Sequence, residues 1–424
     1  MESNVKTKPF SVEWWENFKN NTGNMSFPVI RKRIFNNDID ELRESIFEMF
    51  QNLKHEKEAL AWRVWLDGEI NPDLEKQIVA DPMKSEADFS PWCQRNFGDK
   101  KFGIILNDGQ RYSKKTRDLV SKYFEPILEK KPPLGGINFS IFVGNYGWTP
   151  IGIHQDHTGS FVMHLHLGPG TKEMFMWEQK HYKNTLNGRE NEMEIEQYLP
   201  FTSYDYSFES GDIFFMPWNF YHVGRSEEIS IGLTVWFNYT TVDGLFNGIY
   251  SSGIKEIISD IEDPTLNEIV QLKNYKDCEL DAQIENLLQS VDEDVLNSTF
   301  SEFMEDQIQD YTNALISNDW YDRGAIKEKL ELAYDLPDDQ KVSLIISPMR
   351  YVKHNDVLKI FHRADKIDLA YHEDVVSLIE RINERKIDTV ENLIQGLFSD
   401  WPEGIGKRIV EIFVENCVLQ MENK

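Results

Sequence analysis

Cysteine is nearly absent. The 424-residue chain has three, Cys93, Cys278 and Cys417, far apart and none in a CxxC pair. That count excludes a disulfide framework and a cysteine zinc site, and it suits a reducing compartment. Long apolar runs are missing too. No stretch reaches the roughly eighteen apolar residues needed to span a bilayer, and the N-terminus MESNVKTKPFSVEWWENFKN has neither an apolar core nor a small-residue cleavage site. The expectation is a soluble, cytoplasmic protein with no membrane partner. Positive charge is also short: 45 Lys and Arg stand against 72 Asp and Glu, a formal net charge of −27. That balance argues against a nucleic-acid partner, since phosphate contacts need clustered cations. A basic peptide or protein segment matches it better, although such a charge also serves solubility alone.

What is present describes a folded chain, with 40% hydrophobic and 12% aromatic residues. Its length predicts two or three domains. Residues 1–134 mix loops rich in Trp and Pro with helical patterning, notably DIDELRESIFEMFQNLKHEKEALAWRVWL. From about Gly135 the texture changes to short β-branched or aromatic runs bounded by Gly, Pro or Asn: INFSIFVGNYG, FVMHLHLGPG, EMFMWEQ, DIFFMPW and ISIGLTVWFNYTT. Such spacing predicts a sandwich or barrel over 135–245.

After Asp243 the strands are expected to stop. Residues 251–310 carry sixteen Asp or Glu against three Lys, with helix-period positions Ile254, Ile257, Ile258 and Ile261. This reads as an acidic helical connector over 246–335, either a solvated face or the interface of a homodimer. The remainder, 336–424, reads as a small domain. HEDVVSLIERIN is an amphipathic helix, DTVENLIQGLFSD opens a second behind an Asp-Thr cap, and GIGKRIVEIFVENCVLQM is a third running into a strand. That order is winged-helix-like. Without a basic face, protein or peptide contact suits it better than nucleic acid.

The chain has ten histidines, and four of them fall in TPIGIHQDHTGSFVMHLHLGPGTK, residues 149–172. On a strand, side chains two apart share a face, so His154 with Asp156 forms one ligand pair and His164 with His166 another. GDIFFMPWNFYHVGRS can deliver His222 from a neighbouring strand. His-x-Asp with a distant His is a two-histidine, one-carboxylate set, which leaves adjacent positions open on Fe(II).

Here the chain resembles a family. HQD at 154–156 with TP before it, then GTKEMFMWE, GDIFFMPWNFYHVGRS and IGLTVWFNYTT, is similar to the cupin-like JmjC type of Fe(II)- and 2-oxoglutarate-dependent oxygenase. The C-terminal helical module resembles the winged-helix tail of ribosomal-protein and peptide hydroxylases in that superfamily. The resemblance implies a mainly β catalytic core, a double-stranded β-helix of jelly-roll or cupin type, with N-terminal helices and a helical, winged-helix-like C-terminal domain. It implies iron on His154, Asp156 and His222, with no catalytic residue beyond these ligands. Lys172 would pair with the distal carboxylate of 2-oxoglutarate, Thr149 would offer that carboxylate a hydroxyl, and Asn238 is a further candidate for the same pocket. The Gly168-Pro169-Gly170 loop decides Lys172: it points inward if the loop restores register, and otherwise another residue must take its place.

A germin-like alternative uses His164, His166 and Glu173 with His222, but six residues separate His166 from Glu173, more than that motif usually allows. The HQD set is favoured. His157 reads as a surface group or one standing behind the ligands and Arg225 as a surface charge, while Phe175, Trp177, Phe214, Phe215, Trp218, Trp236 and Phe237 read as sandwich core, with one or two of them lining the substrate mouth. His354, His362 and His372 lie outside the barrel. The implied activity is hydroxylation of a side chain in a peptide or protein, a basic one by charge. The alternatives are the same chemistry on an amino acid or other small molecule, demethylation, a cupin enzyme that needs no 2-oxoglutarate, and a cupin that binds metal or ligand without turnover.

Overall fold

A computed structural model describes residues 8–55, 61–259, 272–274, 279–280, 291, 297–324, 335–345 and 348–422. The chain separates into two compact units, one of 1–240 with 314–424 and one of 241–313.

The barrel of the first unit is built on two antiparallel sheets. In chain order the strands are β1 (Val29–Arg31), β2 (Trp62–Leu66), β3 (Glu69–Ile70), β4 (Phe102–Leu106), β5 (Ile137–Gly144), β6 (Gly147–Trp148), β7 (His154–Gln155), β8 (Ser160–Pro169), β9 (Lys172–Glu178), β10 (Tyr204–Phe208), β11 (Ile213–Pro217), β12 (Phe220–Ser226) and β13 (Ser230–Asn238). The larger sheet runs β1-β11-β8-β13-β5-β4-β2-β3; the smaller runs β10-β9-β12-β6, with β7 also paired to β12. This is the jelly-roll arrangement expected.

Strands of the larger sheet read as nearly unbroken apolar runs because both of their faces are buried. Met163, Leu165 and Leu167 of β8 join Leu233, Val235 and Phe237 of β13 in a core shared with the N-terminal helices. Phe18 of Val12–Asn21 meets Phe215 edge-on at 5.4 Å, and Phe124 of Lys114–Leu128 meets Phe237 at 4.9 Å. The alternate residues face the barrel interior, where Val162 joins Met174, Met176, Phe208, Phe214 and Phe220.

One register shift positions the site. Gly232 pairs with His166 and Ile231 with Gly168, so Leu167 is the extra residue of a bulge on β8. Its carbonyl, lost to the ladder, accepts from Arg43 Nη1 at 3.2 Å and Ser210 Oγ at 3.2 Å, and Arg43 also donates to the Gly168 carbonyl at 3.0 Å. Arg43 is itself held by Glu86. With register restored beyond the bulge, β9 starts with Lys172 facing in.

The helical pattern over 38–66 breaks in two. A helix spans Ile39–Asn52, but WRVWL forms β2, with Trp62 and Val64 buried while Arg63 is exposed. A five-residue alternation behind a run of helix formers is too short to show as a separate period. Residues 317–324 pack back on the barrel: Tyr321 bridges Ile137, Arg117 lies 4.6 Å over the Tyr321 ring, and the Asp322 carboxylate accepts from Gln110 at 2.9 Å and Asn138 at 2.8 Å.

Strands do not stop after Asp243. The chain from 335 has its own core, including Leu336, Leu358, Val375, Leu378, Val410 and Phe413. Helices Glu373–Arg385, Val390–Ile394 and Ile405–Glu415 follow the order read from sequence, and Thr389 caps the second. Beside them stand two three-stranded antiparallel sheets, one of Lys341–Leu344, Ile387–Thr389 and Leu419–Met421, the other of Arg350–His354, Val357–His362 and Asp365–Ala370.

In the second unit, helices Val242–Ser259 and Phe300–Ile316 contribute Phe246, Tyr250 and Phe300, whose rings meet at 5.8 and 5.9 Å. Short strands Leu272–Asn274 and Glu279–Leu280 pair. Much of the acidic segment expected over 246–335, Ile261 included, lies outside the described residues. No helix among the described residues is long and apolar enough to cross a membrane.

Candidate metal centre and its cavity

His154 and His222 are cross-strand partners in the β7–β12 pair, so their side chains leave the sheet on the same face. Their rings stand 4.3 Å apart, and His222 Nε2 lies 4.0 Å from Asp156 Oδ1. One donor atom from each of His154, Asp156 and His222 falls within 4.8 Å of the others, and this is the one such group among the described residues.

The hydrogen bonds fix the tautomers. His154 Nδ1 donates to the Gly152 carbonyl at 2.9 Å and His222 Nδ1 to the Phe220 carbonyl at 3.3 Å, which leaves each Nε2 lone pair for a cation. Burial holds both imidazoles down at about 4, so both are neutral ligands at pH 7. Burial also pushes the Asp156 carboxyl up to about 6, and its Oδ2 is buried without a hydrogen-bond partner. A buried carboxylate oxygen with nothing to bond is an unfilled demand for positive charge. The three side chains fit a divalent metal with two nitrogen donors and one oxygen donor.

A cavity of about 140 Å³ opens from this group into the barrel. Its lining includes His154, His222, Thr149, Lys172, Thr234 and Trp236, with apolar walls from Phe142, Val162, Met174, Phe214 and Met216. Lys172 is buried beneath it, 4.7 Å from the Phe142 ring, with no anionic partner among the described residues. Burial alone lowers the ammonium from 10.5 to about 7. Lys172 and Thr149 converge because Gly224 has no side chain: a Cβ there would stand 3.0 Å from Thr149 Oγ1 and 3.3 Å from Lys172 Cε. The Thr149 hydroxyl donates to the Gly224 carbonyl at 3.0 Å, so it must turn from that bond to donate to a ligand.

The germin-like ligand set does not assemble. Glu173 points to the outer face, where its carboxylate pairs with Arg225 at 2.9 Å. His166 Nε2 donates to the Gly170 carbonyl at 2.7 Å, and His164 Nδ1 meets Thr234 Oγ1 at 2.8 Å.

No protein-family profile and no curated protein sequence matches this chain. Solved structures do match it. An X-ray structure of E. coli YcfD aligns with a TM-score of 0.52 at 16% identity, over 96% of this chain and 98% of that one. Two further structures are of YcfD described as a ribosomal oxygenase from Escherichia coli, one with cobalt and succinic acid and one with cobalt and 2-oxoglutarate. Each has a TM-score of 0.51 at 16% identity, with the same coverage. The chain has the YcfD fold.

Asn238 is the last residue of β13. It lies two positions beyond Trp236 on β13, outside the cavity lining, and its amide oxygen accepts from Ser160 at 3.1 Å. β13 runs through Asn238, which pairs with Ser160 there, while the cavity lining stops at Trp236. Trp236 and Phe214, two of the aromatic set, line the cavity. Three residues went unread. Thr234 shares the inward face with Gly232 and Trp236, a signal the alternation carries. Gly224 matters by the side chain it lacks. Glu190, in the irregular stretch between β9 and β10, accepts from the Gln155 amide at 3.0 Å and carries no sequence signal of a role.

Proposed function

We propose that this chain is an Fe(II)- and 2-oxoglutarate-dependent oxygenase that hydroxylates a side chain of a protein, with a ribosomal protein as the first candidate substrate. One observation carries the reading: a single cavity is lined both by His154 and His222 of the two-histidine, one-carboxylate cluster and by Lys172, which is buried with no anionic partner among the described residues. A dicarboxylate held by a metal through one end needs a cation at the other, and Lys172 supplies it.

In this reading His154, Asp156 and His222 hold the iron, and their Nδ1 bonds to backbone carbonyls keep the rings aimed. Iron, when bound, would supply the activation of dioxygen, the keto acid being oxidised to succinate and carbon dioxide with one oxygen atom while the other replaces hydrogen by hydroxyl at an unactivated carbon. Lys172, as the ammonium, fixes the distal carboxylate, and Thr149 completes that end by turning its hydroxyl from Gly224. Phe142, Val162, Met174, Phe214, Met216 and Trp236 give the cavity apolar walls that exclude water. The likeness to a protein described as a ribosomal oxygenase supports a protein substrate, and the net charge of −27 supports a basic one.

The test is mass spectrometry of ribosomal proteins incubated with Fe(II), 2-oxoglutarate, air and the enzyme. A one-oxygen mass gain on one protein, absent with Asp156→Ala, is expected. No gain on any ribosomal protein, with gain on a free amino acid, would replace the protein substrate by a small one.

A further inference from the structure

We infer that Glu190 is a positioning residue for the metal centre, bracing the short strand that carries His154 against the strand that carries His222. The inference rests on the metal-site reading above.

Strand β7 is two residues long and pairs with β12 only at Gln155–Tyr221 and His154–His222. So short a ladder holds little by itself. The other edge of this segment is taken by the 179–203 stretch. Ile153 N donates to the Glu192 carbonyl at 2.9 Å, Glu192 N returns a bond to the Ile153 carbonyl at 3.3 Å, and Glu190 Oε1 accepts from Gln155 N at 3.0 Å. The approach requires Gly152, which has φ +76° and whose Cβ would stand 2.6 Å from the Glu192 carbonyl oxygen. Gln155 lies between two of the three ligands, so its amide is the backbone group best placed to fix both.

The stretch that carries this carboxylate also reaches the opposite strand. Tyr221, one residue before His222, has the Lys183 ammonium 4.9 Å from its ring centre. Strand alternation explains the contact: His222 turns in, so Tyr221 and Val223 turn out, into a small core with Ile153, Trp177, Tyr182, Ile195 and Tyr198. The stretch is itself fixed. Tyr182 stacks on Tyr221 at 4.4 Å and donates to the Arg189 carbonyl at 2.9 Å, directly before Glu190. The 179–203 stretch thus meets both ligand-bearing segments from outside the cavity, one through the Glu190 carboxylate and the other through the Tyr182 ring, and can hold their spacing without touching the metal. Hydrogen-bonded partners behind ligands typically change metal affinity by about ten- to a hundredfold.

The experiment is anaerobic titration of the full chain with Co(II), followed through its visible absorption, for wild type, Glu190→Ala, Glu190→Gln and the exposed control Glu194→Ala, with circular dichroism to verify folding. Glu190→Ala should weaken Co(II) binding about tenfold and alter the band shape. Glu190→Gln keeps an oxygen for the Gln155 amide and should return close to wild type, as should Glu194→Ala. Wild-type binding by Glu190→Ala would overturn the proposal, and so would equal weakening in Ala and Gln, which would assign the effect to charge alone. A wild type that binds no Co(II) would instead refute the metal-site reading beneath it.

Discussion

Replacing Lys172 with methionine should strengthen the protein and weaken its co-substrate binding at once. The lysine is buried with no anion beside it among the described residues, and the fall of its ammonium from 10.5 to about 7 corresponds to about 5 kcal/mol of burial cost. The Phe142 face at 4.7 Å returns about 1 kcal/mol, so the net penalty is a few kcal/mol. A buried methionine of similar length carries none of it. The pH dependence has a fixed sign. Below about 7 the group is charged both folded and unfolded, and the full cost is present. Between about 7 and 10.5 only the unfolded chain keeps the proton, so stability rises with pH as the cost is relieved. The gain from Lys172→Met should be largest below pH 7 and fade toward 10.5. Affinity moves the other way. Losing a hydrogen bond to a charged group costs about 1.5–3 kcal/mol, which is roughly ten- to a hundredfold in Kd for 2-oxoglutarate. Thermal melts across pH on the ligand-free protein, and anaerobic 2-oxoglutarate titration of the Fe(II) form, read the two effects separately. A variant that is less stable and binds 2-oxoglutarate as before would refute the reasoning, because Lys172 would then be a structural residue.

Two further outcomes follow from the packing. A Cβ at Gly232 would overlap the His164 imidazole, so Gly232→Ala should cost about 1–3 kcal/mol, read as a lowered denaturant midpoint; an unchanged midpoint would show that the ring has room to move. Burial raises the Asp322 carboxyl from 3.8 to about 7 against the opposing bonds from Gln110 and Asn138. The folded chain therefore binds that proton more tightly than the unfolded one, and this carboxyl's contribution to stability should fall as pH rises from about 4 to 7. Melts of wild type and Asp322→Asn over that range should differ in slope, and parallel slopes would contradict the assignment.

Strands β5, β8, β9, β11 and β13 were legible because each is long enough for its pattern to show, whereas β6 and β7, two residues each, are too short to carry one. The candidate site was legible where chemistry and alternation agree, at His154, Asp156 and His222. Lys172 was not decidable from spacing, because its direction depends on the bulge at Leu167, and that bulge is held by Arg43 from a helix more than a hundred residues away. Asn238 shares its face with Trp236, and alternation says nothing about where a cavity ends. The strand Trp62–Leu66 was hidden behind helix-forming residues, and the small C-terminal sheets behind charged strands such as DKIDLA. Glu190 acts through a backbone amide, a partner that no side-chain pattern can announce.

The most direct test of the central claim is succinate release from 2-oxoglutarate by the purified chain with Fe(II) and air, comparing wild type with Asp156→Ala. The account predicts succinate from wild type and none above background from the variant, whose cluster has lost its only carboxylate. Equal succinate from both would remove iron from this cluster and with it the oxygenase reading.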